Sequence, residues 1–173
     1  MAVPDELTLR HNRDLVGREK RPYVRWALLS AIGLVVLLGA VNVFGQRPQT
    51  TAASANGVEL EVYSPARVRG GLYYMSRFTI RATEEIENAT LVLDPGWFEG
   101  ITMNTAVPGP VGEASRDGRV AFELGHVPAG SKHILFLQFQ VNPTEIGHRA
   151  QDVDLYDGET PLVHIDRGVT IFP

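Results

Sequence analysis

The sequence contains no cysteine among its 173 residues, and this absence excludes several kinds of site. Without a thiolate there is no cysteine nucleophile, no thiolate metal site and no disulfide bond. A domain of more than about 100 residues can nevertheless bury enough apolar surface to fold without disulfides. Any exported part of this chain must therefore be held together by its hydrophobic core.

Recognisable catalytic motifs are missing as well. There is no G-x-S-x-G elbow, no S-x-x-K pair, no P-loop and no dinucleotide-binding glycine pattern. Carboxylates are plentiful, but a catalytic pair needs a cleft, which a small domain with short loops seldom provides. We predict that the protein is not an enzyme and has no catalytic residue and no cofactor. An envelope enzyme that uses the carboxylates from Asp152 to Glu159 is the alternative.

Basic residues are scarce in the C-terminal part of the chain. Residues 46–173 hold ten Lys/Arg and sixteen Asp/Glu, a net charge of −6, whereas residues 1–25 hold six and four, a net charge of +2. Nucleic-acid binding requires a clustered basic face that neutralises phosphates. The charge distribution therefore predicts no nucleic-acid partner.

One long segment, residues 26–45, has no charged residue and reads WALLSAIGLVVLLGAVNVFG. A helix of about 20 residues, rising about 1.5 Å per residue, spans the roughly 30 Å of hydrocarbon in a bilayer. The segment also lacks the polar stripe of a soluble amphipathic helix. It predicts a single transmembrane helix over 26–45, preceded by a cytoplasmic basic leader over 1–25.

The basic residues around this segment predict its orientation. Six Lys/Arg precede it and only Arg47 closely follows it, which places the N-terminus in the cytoplasm and the C-terminal domain outside. The long basic leader and long apolar core are typical of an uncleaved signal anchor. Ala53-Ser54-Ala55 has the form of a cleavage site, and cleavage near Ala55 stays open as the alternative. The predicted location is the cell membrane.

Three residues of this segment are candidates for packing against another membrane helix: Ala27, Ala31 and Asn42. Small residues four apart permit close approach of two helices, and an asparagine can form a hydrogen bond across them. The other interpretation is a monomeric anchor that faces lipid. If the packing interpretation holds, the protein is an accessory subunit of a multi-pass membrane complex and acts through this helix.

The remainder of the chain is predicted to form a flexible tether and a β domain. Residues 46–57 are small and polar without periodicity, which favours a tether. From 58 to 173, apolar and polar residues alternate in eight or nine short segments, beginning with Val58, Leu60 and Val62, and Gly, Pro and Asp turns separate them. With no helical pattern between them, these strands predict an all-β antiparallel sandwich. A small closed barrel is the alternative.

The later strands resemble those of a known class of domain. The segment 122–130, FELGHVPAG, precedes a long alternating strand from Ile134 to Val141, and the segment 157–162, DGETPL, leads into a final strand at 169–172. This layout resembles bacterial immunoglobulin-like surface domains on single-pass membrane proteins of high-GC Gram-positive bacteria. The resemblance implies an immunoglobulin-like β-sandwich. The chain departs from the antibody pattern in lacking disulfide cysteines and in placing Trp97 in a predicted loop.

Two groups of residues are candidates for partner binding. The turn 94–98, DPGWF, presents Trp97 and Phe98, and aromatic residues often anchor interfaces. If the two longest strands are neighbours, an outward apolar patch forms from Tyr73, Met75, Ile134 and Phe136. The alternatives are that the two aromatics close the end of the sandwich and that a loop covers the patch. We predict a membrane-anchored extracytoplasmic binding module that recognises a protein or envelope component through a sheet face or loop.

The strongest candidate metal ligands are the carboxylates Asp152, Asp154, Asp157 and Glu159, since clustered oxygen ligands suit Ca²⁺. Their spacing does not match a calcium-binding EF-hand loop, and Asp157-Gly158 is a good hairpin turn. None of the five histidines has a ligand-like spacing from another. We therefore predict no metal site, with calcium binding by the carboxylates left open.

Overall fold

The helix α1 (Arg21–Ala40) contains the apolar segment. The computed structural model describes residues 21–43 and 45–173, so most of the predicted cytoplasmic leader lies outside the described residues. Within α1, Tyr23–Ala40 is long and apolar enough to cross a membrane, and none of it is buried. The helix is therefore compatible with a membrane anchor or a signal sequence.

The helix ends earlier than the predicted boundary at residue 45. The Asn42 N–H donates to the Gly39 carbonyl and the Val43 N–H to the Leu38 carbonyl, both at 3.0 Å. Asn42 has a φ of 57°, so these bonds form a Schellman cap with asparagine in the left-handed position. Ala27 and Ala31 lie on one face of α1, and Asn42 follows the helix in its cap; their packing against another membrane helix stays a prediction.

Thirteen strands make up the described part of the β domain. In chain order they are β1 (Pro48–Ala55), β2 (Val58–Pro65), β3 (Arg67–Arg69), β4 (Tyr73–Ala82), β5 (Ile86–Leu93), β6 (Ile101–Val107), β7 (Gly112–Arg116), β8 (Arg119–Val127), β9 (Lys132–Val141), β10 (Gly147–Ala150), β11 (Val153–Asp157), β12 (Thr160–Ile165) and β13 (Gly168–Phe172). A short 3₁₀ helix, Pro95–Trp97, connects β5 to β6.

The strands form two five-stranded sheets and a small third one. The first sheet has the order β1-β2-β4-β9-β6, the second has the order β12-β11-β5-β8-β7, and β10-β13-β3 form the third. Both large sheets pair antiparallel throughout, whereas β13 and β3 pair in parallel.

The core lies between the two large sheets. Each strand turns alternate side chains inward, and inward residues of both sheets form one cluster, for example Phe78 and Leu137 from the first with Leu91 and Phe122 from the second. The prediction of an all-β antiparallel sandwich preceded by one apolar helix is confirmed, and the closed barrel is not formed.

The prediction of a flexible tether over 46–57 is wrong for most of that segment. β1 (Pro48–Ala55) pairs with β2 along its whole length, from Pro48 opposite Pro65 to Ala55 opposite Val58. Its side chains are mostly exposed, so backbone hydrogen bonds and not apolar burial hold it in place at the sheet edge. The β domain therefore begins before Val58, and its compact unit includes β1.

Candidate functional site

The outward surface of the first sheet is the leading candidate for a functional site. Neighbouring strands place paired residues on the same face. Tyr63 of β2 is opposite Arg77 of β4, Arg77 is opposite Phe136 of β9, and Phe136 is opposite Val107 of β6. These four side chains therefore form a continuous row across the sheet.

Two further pairings extend the surface toward the start of β4. Met75 is opposite Gln138, and Tyr73 is opposite Gln140. Tyr73 is 56% exposed, Met75 57% and Val107 53%, while Tyr63 is more covered and Phe136 is half-buried. We define the apolar patch as the five residues Tyr63, Tyr73, Met75, Val107 and Phe136.

One charged side chain of this face, Arg77, lies within the row between Tyr63 and Phe136, and the others lie toward the other end of the strands. Arg81 pairs with Glu59 at 3.1 Å, and Arg77 pairs with Glu61 at 3.1 Å. The Arg77 guanidinium also lies 5.0 Å from the centre of the Tyr63 ring. These charges neutralise one another, so the patch borders on amide and hydroxyl side chains and on a compensated ionic cluster.

The structure brings together the sequence-predicted residues of this face. β4 and β9 are neighbours, so Tyr73, Met75 and Phe136 share one surface. Ile134 is on the same face but lies opposite the buried Thr79, nearer the ionic end. The sequence did not indicate Tyr63 and Val107 as patch residues. The alternation of apolar and polar residues in β2 and β6 does not show that these strands pair with β4 and β9.

The two aromatics of the 94–98 turn do not form an exposed binding surface. Trp97 is fully buried, with its ring centre 5.4 Å from those of Phe78 and Phe139. Phe98 is partly buried and meets Phe139 edge-on at 6.2 Å. The prediction that these two residues bind a ligand is wrong for Trp97, which packs inside the sandwich in agreement with the alternative interpretation.

The carboxylates from Asp152 to Glu159 are dispersed among structural contacts and do not form one site. Asp157 accepts a hydrogen bond from the Asn88 N–H at 2.8 Å, and Glu159 pairs with Arg116. Asp152 accepts from the Arg167 N–H at 2.9 Å. The β11–β12 hairpin turns at Gly158-Glu159, with Asp157 opposite Thr160, so the turn lies one residue later than the predicted Asp157-Gly158.

Asp152 and Asp154 instead lie beside a histidine of the neighbouring strand. His164 of β12 is the direct cross-strand partner of Asp154 in β11. Its Nδ1 lies 2.6 Å from Asp154 Oδ1 and its Nε2 lies 3.0 Å from Asp166 Oδ1. Hydrogen bonds to Asp166 and then to Asp154 raise the pKa of the His164 imidazole above its usual value.

Among the histidines that the structure describes, His133 of β9 is the one with a buried ring nitrogen that has no hydrogen-bond partner. Its Nε2 has no hydrogen-bond partner among the described residues, and burial lowers the pKa of its imidazole. Replacing His133 with leucine removes this orphaned atom, so we expect a gain of about 1 kcal/mol in the free energy of unfolding near pH 7. Urea denaturation of the full-length chain in mild detergent measures it.

The same substitution also changes the pH dependence of stability. The unfolded chain takes up a proton on His133 near its ordinary pKa of about 6.5, before the folded protein does, so native stability falls as the pH drops below that value. The His133→Leu variant should lose this part of the acid sensitivity. His126→Leu is the control, since His126 is exposed beside Glu85. Equal pH profiles for wild type and His133→Leu would contradict the assignment.

Two antiparallel sheets packed around one core define this domain as an immunoglobulin-like β-sandwich. No protein-family model and no curated protein matches the chain. The similar solved structures include CaCohA2 from Clostridium acetobutylicum, at 14% identity, covering 68% of this chain and 92% of that one with a TM-score of 0.41. Another is the CARDB domain of the PF1109 protein from Pyrococcus furiosus, determined with di-metal ions, at 11% identity, covering 73% of this chain and 96% of that one with a TM-score of 0.37.

A third similar structure is a larger enzyme. The GH20 exo-β-N-acetylglucosaminidase from Vibrio harveyi, in complex with N-acetylglucosamine, is 9% identical over 73% of this chain and 18% of its own, with a TM-score of 0.28. None of the three is similar enough to transfer a ligand or an activity to this chain. The function must therefore be argued from the residues of this protein.

Proposed function

We propose that this protein is a membrane-anchored, non-catalytic binding module whose sandwich recognises another protein through the apolar patch. α1 acts as an uncleaved signal anchor, with the N-terminus in the cytoplasm and the β domain outside. The basic residues that precede the apolar segment support this orientation. The absence of catalytic motifs from the sequence supports a role in binding.

The observation that carries the proposal is the composition of the patch. Tyr73, Met75 and Val107 are each more than half exposed, and large apolar side chains that gather on one exposed surface mark interaction sites. Tyrosine, methionine and phenylalanine are enriched in protein interfaces, while charged residues are depleted from interface centres. The five patch residues have this composition, and Arg77, which lies between Tyr63 and Phe136, is paired with Glu61.

The position of the patch along the chain favours a partner close to the membrane. The Gln46 side chain donates a hydrogen bond to the Tyr73 carbonyl at 3.1 Å. Gln46 therefore contacts a residue of the apolar patch. Gln46 directly follows the apolar segment 26–45 in the chain. A membrane protein with an uncharged apolar surface outside the bilayer is the partner that this position in the chain favours.

Site-specific photocrosslinking in the protein's own host cells tests the proposal. A photoreactive amino acid at the exposed Gln138, which is the cross-strand partner of Met75, should give a discrete adduct with one membrane protein. The double substitution Tyr73→Asp and Met75→Asp should lower the adduct yield at least about tenfold, because it charges the centre of the interface. Both side chains are exposed, so the fold should tolerate the change.

The matched control is Val111→Asp, which also charges an exposed valine, 78% accessible, but lies before β7 of the second sheet. Its adduct yield should equal that of the wild type. Equal loss in both variants, or no loss in either, would overturn the assignment of the patch. If exchanging α1 for an unrelated apolar helix abolishes the adduct while the patch variants keep the wild-type adduct yield, the result would instead favour the accessory-subunit role. If the protein binds envelope polysaccharide and forms no protein adduct, the proposal of a protein partner is overturned.

A further inference from the structure

Four side chains converge at one edge of the second sheet, away from the apolar patch. Asp154 and His164 are direct cross-strand partners in β11 and β12. Asp152 immediately precedes β11 and Asp166 immediately follows β12, two residues from Asp154 and His164 respectively, so both project on the same face as that pair. One ligand atom each from Asp152, His164 and Asp166 lies within 4.8 Å of the other two.

The imidazole is held in a defined orientation. Asp154 Oδ1 lies 2.6 Å from His164 Nδ1, and the other carboxylate oxygen of Asp154 is bound by Arg119, which also contacts Asp94. Asp154 accepts from Nδ1–H, which leaves the lone pair of the neutral ring on Nε2. A carboxylate that fixes a histidine in this way is the usual outer partner of a metal-binding imidazole.

The opposite side of the ring faces carboxylates. His164 Nε2 faces Asp166 Oδ1 at 3.0 Å, and Asp152 is close by, so the lone pair of the neutral imidazole is directed at carboxylates. Two acceptors at this distance need a positive charge between them, supplied either by a second proton on the ring or by a cation. The additional carboxylate of Asp152 is what distinguishes this place from an ordinary histidine ion pair.

We propose that Asp152, His164 and Asp166 bind a divalent transition-metal ion of the Zn²⁺ class, with Asp154 as the positioning residue. One imidazole nitrogen and two carboxylate oxygens are a ligand set that zinc accepts, with water in the fourth position. Ligand atoms around tetrahedral zinc lie about 3 to 3.5 Å apart, close to the distance between His164 Nε2 and Asp166 Oδ1. Asp166 is mostly exposed and therefore free to rotate onto the ion.

Zinc titration of the chelator-treated full-length chain in mild detergent tests this site, with a chromogenic chelator as competitor. We expect one zinc ion per chain and a rise in the midpoint of thermal unfolding with zinc. His164→Gln and Asp166→Asn should each weaken binding at least tenfold, and Asp154→Asn should weaken it about 10- to 100-fold by releasing the ring. Thermal unfolding without metal establishes that each variant is folded.

The control is His126→Gln, since His126 also pairs with one carboxylate, Glu85 at 2.7 Å, but has no ligand cluster. Its affinity and stoichiometry should match the wild type. The site is overturned if no stoichiometric binding occurs, if His164→Gln binds zinc as well as the wild type, or if His126→Gln weakens binding equally. Equal affinity for Ca²⁺ would overturn the transition-metal class, because calcium prefers oxygen ligands.

Discussion

Replacing Trp97 with alanine is expected to lower the free energy of unfolding by about 3 to 5 kcal/mol. The indole is fully buried between Phe78 and Phe139, and its Nε1–H donates to the Asp152 carbonyl at 3.3 Å. Alanine would leave a large cavity and remove both aromatic contacts.

The Trp97 substitution also uncovers a buried cation. The Arg167 guanidinium lies 4.7 Å from the centre of the Trp97 ring, and burial lowers the pKa of Arg167 to about 10. Without the indole, this partly desolvated cation loses the aromatic face that stabilises it. Trp97→Phe keeps an aromatic ring under Arg167 and should therefore cost less than Trp97→Ala.

Urea denaturation of the full-length chain in mild detergent, followed by far-ultraviolet circular dichroism, measures this effect. Trp26 is the second tryptophan of the chain and is exposed on α1, so Trp26→Phe should leave the unfolding of the β domain unchanged. In that background, tryptophan fluorescence reports on Trp97 alone. A loss of less than about 1 kcal/mol for Trp97→Ala would contradict its place in the core.

The sandwich could be predicted because its inward residues follow the period of two. In β9, the alternate residues Leu135, Leu137, Phe139 and Val141 are all fully buried, and such alternation is a direct consequence of strand geometry. Turn chemistry was equally informative, since Asp117-Gly118 connects β7 to β8 and Gly158 lies in the turn that connects β11 to β12. The alternation of side chains along a strand and the left-handed backbone conformation of a turn residue depend on local sequence, so both can be predicted from a single sequence.

β1 was missed because its sequence, PQTTAASA, has no apolar alternation. An edge strand whose side chains are mostly exposed depends largely on backbone pairing, which side-chain patterns do not record. One signal was available: Asn56 and Gly57 have φ values of 49° and 72°, and Asn-Gly is a favoured two-residue hairpin turn. The Asn56-Gly57 dipeptide, followed by the alternating residues of β2, therefore indicated a hairpin whose first strand is β1.

The histidine and carboxylate cluster could not be predicted from spacing. A regular hairpin closed by Asp157 opposite Thr160 would place Asp154 opposite Val163. An irregularity between Leu155 and Tyr156 shifts the pairing by one residue and places Asp154 opposite His164. A shift of one residue changes which face each side chain occupies, and the sequence pattern does not predict such a bulge.

Gly96→Ala is expected to cost about 3 kcal/mol or more, because an overpacked site next to a rigid backbone cannot relax easily. A Cβ atom at Gly96 would lie only 1.9 Å from the Ala150 carbonyl oxygen in β10. The 3₁₀ turn or the strand must therefore move apart. Gly109→Ala is the matched control, since a Cβ there meets nothing within 4 Å and should change stability by less than about 0.5 kcal/mol.

The Gly96 and Trp97 substitutions should not be additive. Close packing of Gly96 on β10 sets how deeply the next residue enters the core, so a turn displaced by Gly96→Ala already weakens the contacts of Trp97. The double variant Gly96→Ala, Trp97→Ala should therefore cost less than the sum of the two single changes, measured by the same urea denaturation. Additive losses would mean that Trp97 keeps its position in the core without the close contact at Gly96. Equal stability of Gly96→Ala and Gly109→Ala would show that β10 can move away from the added methyl group at little cost.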